Sequence, residues 1–400
     1  MRRVYFDNNA TTPLAPEVFE AMRPYLTEDF GNASSIHWYG QRAKAAIEAA
    51  REQVAKLIHA RPSEIVFTSG GTESDNAALL GIVEASRSQT KHVITTTIEH
   101  QAVLSTARAI EKMGASVTYV RVGASGLVDP ADIDRAIRPD TVLISVMHAN
   151  NELGTIQPIE EIGRIARAKD VHFHTDAVQS TGKITVDVEK FGIDLLAISA
   201  HKLYGPKGVG ALYLRKGTIV KPLIHGGHDE RDRRPGTENV AGIVGLGKAA
   251  QMAREHMAEE ALRLATLRDR LEAGILSAVP LSTVNGDRAH RMPTTTNIRF
   301  EYTEGEGFVI ALDLRGIACS TGAACSSGSV EPSHVLTAIG LRHEQARSSI
   351  RFSLGRFNTD ADVDAALEVL PAVVERLRAV SPHYKKEAVS HQPSAVSKNA

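Results

Sequence analysis

Cysteine is scarce in this chain: two in 400 residues, alongside one tryptophan and an aromatic fraction of 5%. A secreted disulfide framework needs more thiols, so Cys319 and Cys325 point to a reducing, cytoplasmic setting. Their Cys-x5-Cys spacing matches no common zinc pattern, and no metal site is expected. Charge of one sign is lacking too. Lys and Arg number 46 against 47 Asp and Glu, a formal net charge of −1. That balance leaves no basic footprint for direct nucleic-acid binding and no like-charge tail. No apolar run nears the ~20 residues of a membrane helix, so no membrane partner is expected. Met1-Arg-Arg leads straight into a strand pattern without the apolar core of a signal peptide. Internal repeats are absent.

What is present is core material, 42% hydrophobic residues. At roughly 100–200 residues per domain, the length suits two or three domains. Ala43, Ala46, Ile47, Ala50, Val54, Leu57 and Ile58 recur at helical spacing. Short apolar segments at 65–68, 92–97, 116–120, 141–146, 171–177 and 195–198 read as strands with helices between, one of them over 72–86. This alternation predicts an α/β fold with a mainly parallel sheet flanked by helices. Ligands of such sheets gather at the carboxyl ends of the strands. A long helical pattern near 240–278 precedes a strand near 297–300, a helix near 308–314, a strand at 349–353 and a helix near 359–380. That mixture predicts a second, smaller α+β domain. The polar stretch 381–400 has no period and is expected to be poorly ordered.

Chemistry concentrates at strand ends. Lys202 follows the apolar segment 195–198, in Ser199-Ala-His-Lys-Leu-Tyr-Gly-Pro-Lys-Gly-Val-Gly210. Desolvation there favours the neutral amine, a nucleophile toward aldehydes. Asp176 ends the segment 171–177. A buried acid with a Schiff-base lysine is the pairing that pyridoxal phosphate enzymes use. Taken alone, such a lysine is more often a plain surface residue. Gly70-Gly71-Thr72 lies between a strand and a helix, where backbone amides suit an anion; an ordinary Gly-rich turn has the same composition. Neither this segment nor 205–210 has the Lys-Ser/Thr of a phosphate-binding P-loop. Arg351 sits mid-strand and needs a partner, either a substrate carboxylate or an internal acid. Cys325 stands in Ser320-Thr-Gly-Ala-Ala-Cys-Ser-Ser-Gly-Ser329, too rich in Gly and Ser for core, which predicts a mobile loop and a reactive thiol. Cys319 ends the strand-like 316–319 and reads as inert.

Blocks of sequence connect these positions. They are Tyr5-Phe-Asp-Asn-Asn-Ala-Thr-Thr-Pro13, Phe30-Gly-Asn-Ala-Ser-Ser-Ile-His37, Phe67-Thr-Ser-Gly-Gly-Thr-Glu-Ser-Asp-Asn76 and Glu99-His100. Further on come His148-Ala-Asn-Asn-Glu-Leu-Gly154, Arg234-Pro-Gly-Thr-Glu-Asn239, Ala324-Cys-Ser-Ser-Gly-Ser329 and Ser349-Ile-Arg-Phe-Ser-Leu-Gly-Arg356. Together, in this order, they closely resemble the cysteine desulfurases of the NifS/IscS type, in class V of the fold-type I pyridoxal phosphate enzymes. The resemblance runs from about residue 4 to about residue 378.

The resemblance implies a fold-type I transferase with a large domain over 14–255 and a small one formed by 1–13 with 256–380. It implies a homodimeric enzyme that converts L-cysteine to L-alanine and leaves the sulfur as a persulfide on Cys325. The sulfur would go to an iron–sulfur scaffold or another acceptor protein. Lys202 would carry the cofactor, with His100 stacking on it and moving protons. Thr72, Ser199 and His201 would hold the phosphate, joined by Thr237 from the neighbouring subunit. Asp176 would face the ring nitrogen and Gln179 the phenolic oxygen. Asn151 would touch the cofactor or the substrate carboxylate, Arg351 would grip that carboxylate, and Asn32 would lie near the substrate. A selenocysteine lyase or a related class V aminotransferase-like enzyme is the alternative within the class. A sulfur-carrier scaffold without turnover is the alternative outside it, and the intact Lys202, His100 and Asp176 argue against it.

Overall fold

The structure is a computed structural model and describes residues 2–321, 332–382 and 384. Its strands, in chain order, are β1 (Val4–Tyr5), β2 (Ile65–Thr68), β3 (His92–Thr96), β4 (Ser116–Val120), β5 (Thr141–Ser145) and β6 (His172–Asp176). Then come β7 (Leu195–Ser199), β8 (Gly210–Leu214), β9 (Ser282–Asn285), β10 (Thr295–Phe300), β11 (Ile317–Ala318) and β12 (Ser349–Ser353). Seven of these form the main sheet in the order β2-β8-β7-β6-β5-β3-β4. Every residue of β2, β3, β7 and β8 is buried, as expected of strands covered by helices on both faces.

Six strands of this sheet run one way, and β8 runs against both neighbours, β7 and β2. The connection from β7 to β8 is too short for the crossover that a parallel return requires, so the chain doubles back. Glycine at 210 is what lets it do so closely. A Cβ there would lie 2.4 Å from the Ile198 carbonyl oxygen and 2.7 Å from the Gly70 Cα.

Of the hydrophobic cores among the described residues, two share one long helix, each taking a different end of it. The first gathers Val18, Ile47, Phe67, Phe173, Ile198 and Leu246; the second gathers Val4, Phe6, Leu271, Phe300, Phe352 and Leu370. The helix Val240–Ala278 contributes Leu246 and Ala250 to the first and Leu264 and Leu271 to the second. The chain start thus packs with the late residues. β1 pairs in parallel with β11, and the small antiparallel sheet β12-β10-β9 completes that core. The strand near 297–300 begins two residues early, at Thr295. The helix near 308–314 begins at Gly305, because the Glu304 carboxylate accepts from the Glu306 and Gly307 amides and caps it. Among the described residues, no helix is long and apolar enough to cross a membrane. Of the tail 381–400, only 381, 382 and 384 are among the described residues.

Candidate active site

Alternation along β6 decides which side chains face the site. Phe173 packs into the first core, while His174 and Asp176 share the opposite face. Asp176 therefore ends β6 pointing into a cavity of about 340 Å³ at the carboxyl ends of the parallel strands. Thr72, His100, Asn151, Gln179, Ser199, His201, Lys202 and Arg351 line the same cavity, together with Asn9 and Asp75.

Lys202 lies on the short turn Ala200–Lys202 that follows β7. Its Nζ donates to the backbone carbonyls of Asn9 and Ala10, 2.6 Å from each. The Asp176 carboxylate is buried and accepts the Val178 amide at 2.9 Å. Burial pushes its carboxyl above the usual range, and the nearby His100 and Lys202 pull the other way. His100 is the N-cap of the helix Gln101–Lys112, its Nδ1 accepting from the Ala102 amide at 3.1 Å. Gln179 donates through Nε2 to the Asn9 carbonyl at 2.9 Å and accepts at Oε1 from Lys183 Nζ at 3.2 Å. Burial, with Lys202 and Arg351 nearby, pushes the Lys183 amine down to about 7.

The helix Gly71–Ala85 starts at one end of this cavity. Its first amides have no partner within the helix and point at the opening. Gly71 is closely approached, since a Cβ there would fall 2.7 Å from Val178 Cγ2. A second opening adjoins it, lined by Gly70, Thr72, Ser199, His201 and Lys207. His201 Nδ1 lies 3.1 Å from Thr11 Oγ1, and burial with nearby lysines brings its ring down to about 4, so the imidazole is neutral. An anion bound here would meet helix amides, hydroxyls and a neutral ring. A buried acid stands deeper in the cavity and an amine beside it. These residues fit pyridoxal phosphate, which needs an anion cradle, an acid for its ring nitrogen and an amine for its carbonyl carbon.

Arg351 on β12 reaches this cavity with its side chain 2% exposed. Its Nη2 lies 2.6 Å from Asp7 Oδ1, and its Nη1 donates to the Asn151 carbonyl at 3.0 Å. Its Nε has no hydrogen-bond partner among the described residues. The arginine thus has an internal carboxylate and also faces the cavity. Arg356 is committed elsewhere: it pairs with Glu260 at 2.5 Å and lies over the Tyr204 ring.

Two expected residues stay out of this chain's cavity. Asn32 and Thr237 are exposed. Asn32 Oδ1 accepts from the Ser34 amide at 2.8 Å, and Ser34 Oγ meets Asp229 at 3.3 Å. The segments carrying Asn32 and Thr237 therefore adjoin on the surface, beside exposed Phe30, Ile36 and Trp38. Cys325 lies outside the described residues, as does the rest of 322–331. Cys319 is buried, and burial pushes its thiol well above the usual range, in keeping with an inert role. Asp7, Asn9, Asp75 and Lys183 escaped the sequence reading. Asp7, Asn9 and Asp75 fall inside blocks noted there, but only the tertiary structure reveals which way they point.

The aminotransferase class-V family model matches residues 4–366. "Cysteine desulfurase IscS" of Dictyoglomus turgidum is 53% identical over 386 residues, covering 96% of this chain and 98% of that protein. Among solved structures, a "NifS-like protein" aligns with a TM-score of 0.88 at 39% identity, over 94% of this chain and all of the other. "SspA in complex with cysteine" aligns with a TM-score of 0.80 at 41% identity, over 89% of this chain and all of the other.

Proposed function

The chain belongs to the aminotransferase class-V family, among its cysteine desulfurases, and on that premise we propose how its residues divide the work. It is a pyridoxal phosphate-dependent enzyme that converts L-cysteine to L-alanine and passes on the sulfur. The observation that carries the assignment of roles is the meeting of Lys202, Asp176 and His100 in one cavity.

When bound, pyridoxal phosphate withdraws electrons from the substrate Cα and makes its proton removable. Thr72, Ser199 and His201 would hold the phosphate with the amides of the helix Gly71–Ala85. Asp176 keeps the ring nitrogen charged, and the Gln179 amide faces the phenolic oxygen. Lys202 would hold the cofactor through its amine, and that amine lines the cavity where it could take the substrate Cα proton. His100 would lie against the ring and move protons, while its Nδ1 accepts from the Ala102 amide. Arg351 and Asn151 orient the substrate carboxylate. The Cys325 thiolate then attacks the substrate sulfur. An S–S bond forms as the C–S bond breaks, and the electron pair stays with carbon and takes a proton to give alanine. The carbon is reduced as sulfur is oxidised, so no outside oxidant is needed. Cys325 is left as a persulfide for an iron–sulfur scaffold or another sulfur-acceptor protein.

The exposed positions of Thr237 and Asn32, beside Phe30, Ile36 and Trp38, support a homodimer in which Thr237 reaches the partner's phosphate site. The two hydrophobic cores support a large domain over 14–255 and a small one from 1–13 with 256–380. The scarcity of thiols, two in the chain, supports a cytoplasmic enzyme. The test is direct: the protein is loaded with pyridoxal phosphate and L-cysteine, then alanine and protein-bound sulfur are measured. One alanine should form for each sulfur released. Alanine no higher than that made by Lys202→Ala would sink the assignment.

A further inference from the structure

Beside Asp176 lies a second acid that this mechanism does not use. Asp75, in the helix Gly71–Ala85, is 1% exposed and also lines the cavity. Its Oδ1 is buried with no hydrogen-bond partner among the described residues. His174 Nε2 lies 3.4 Å away and is likewise buried and unpartnered. The other ring nitrogen, Nδ1, lies 2.8 Å from Ser145 Oγ on β5. Two unpartnered polar atoms that face each other in a dry site call for a proton between them.

Three arrangements supply one. In the first, ionised Asp75 faces a protonated, fully buried His174. In the second, ionised Asp75 accepts from His174 Nε2–H while Ser145 donates to Nδ1. In the third, Asp75 is a neutral acid that donates to Nε2, and Nδ1–H donates to Ser145 Oγ. The first two place an anion next to Asp176, with Glu99 a third buried acid nearby. The charged groups acting on Asp75 are these two acids, while His100 and Lys202 act on Asp176. Adjacent buried carboxylates do not both ionise. We propose that Asp75 is a neutral carboxylic acid donating its proton to His174 Nε2, and that the Asp75–His174–Ser145 chain keeps Asp176 ionised opposite the cofactor ring nitrogen. Burial agrees on both sides, holding the Asp75 carboxyl well above its usual range and bringing the His174 ring down to about 3. Asp75 and His174 are positioning residues in this scheme. They set the charge on Asp176 without touching substrate.

The role rests on the pyridoxal phosphate assignment, but the protonation state does not, and the experiment separates them. Holoenzyme is prepared with aspartate carboxyls labelled with carbon-13, which sets them apart from Glu99. Its infrared spectrum at neutral pH should contain the carbonyl band of a protonated aspartic acid, shifted in heavy water. Asp75→Asn should remove that band, and His174→Gln should shift it. In parallel, cofactor affinity is measured by equilibrium dialysis. Asp75→Asn, neutral and nearly isosteric, should weaken binding by no more than about threefold. Asp176→Asn should weaken it by roughly tenfold or more, the equivalent of at least one pKa unit of interaction. Absence of a protonated-aspartate band in the wild type overturns the inference even if no variant folds. So does loss of affinity in Asp75→Asn as large as in Asp176→Asn. A wild type that fails to bind pyridoxal phosphate would instead refute the functional assignment, leaving the infrared result to decide the proton's place.

Discussion

Replacing Arg351 with alanine tests the substrate end of the cavity most sharply. The substitution deletes a buried guanidinium that now serves Asp7 and the Asn151 carbonyl and presents an unpartnered Nε. A hydrogen bond to a charged group is worth about 1.5–3 kcal/mol. Losing the grip on a substrate carboxylate should therefore cut cysteine affinity about tenfold to a hundredfold. A structural cost comes with it. Removing one member of a buried ion pair costs about 3–5 kcal/mol. The Asp7 side chain is 19% exposed, so water relieves part of that and the low end applies. Circular dichroism and a melting curve come first for that reason, and Arg351→Lys keeps the charge without the fork. The decisive comparison uses cysteamine, which is cysteine without its carboxylate. Binding of both ligands is followed through the absorbance change of the loaded enzyme. Wild type should prefer cysteine, and folded Arg351→Ala should lose that preference, because removing either partner deletes the same interaction. A variant that still prefers cysteine by the wild-type factor would show that Arg351 serves only Asp7.

Borohydride reduction of the loaded protein should place the pyridoxyl label on Lys202; a label on Lys183, whose amine lies near 7, would reassign the anchor. Cys325→Ser should abolish alanine formation from cysteine while leaving cofactor affinity intact, and turnover at the wild-type rate would remove Cys325 as acceptor. Heterodimers of Lys202→Ala with Thr237→Ala should regain about half the activity per dimer, since both lesions fall on one shared site. Activity equal to the mean of the two parents, with heterodimers confirmed by mass, would confine Thr237 to its own subunit. Burial lowers His148 from 6.5 to about 4, so the unfolded chain binds more protons across that interval and stability falls as pH drops through it. His148→Asn should recover up to ~3 kcal/mol of that acid loss, and melting curves that fall in parallel for both proteins would contradict it.

The main sheet was largely legible because its strands are short, apolar and bounded by turns. Leu195–Ser199 and the placement of Asp176 and Lys202 past buried strands follow from that pattern alone. β8 was not read at all, strand or direction: Ala211–Leu214 follows the Gly-rich stretch 205–210, and a segment's apolar content carries no direction. β9 was missed as well: three of the four residues of Ser282–Asn285 are polar, and Asn285 is buried where Asn297 and Ser349 hydrogen-bond with it. Asp75 stayed hidden for a similar reason. In the sequence it is one polar residue in a helix start, and it becomes a buried acid only when the helix is laid against His174. Lys183 looks like a loop lysine until Gln179 receives it.

The parallel pairing of β1 with β11 sets a clock on synthesis. Residues 4–10 leave the ribosome first, yet the strand that pairs with β1 ends at Ala318 and the Ser353 carbonyl that receives the Asn8 amide comes later still. At about 5–20 residues per second, the nascent N-terminus waits roughly a quarter of a minute to a minute for them. During that interval the large sheet can form and Gln179 can already hold the Asn9 carbonyl, but Val4 and Phe6 have no core to enter. A soluble tag fused ahead of Met1 would shield Val4 and Phe6 through that wait. A truncation past Phe6 would leave the large sheet whole and take two side chains, Val4 and Phe6, out of the second core.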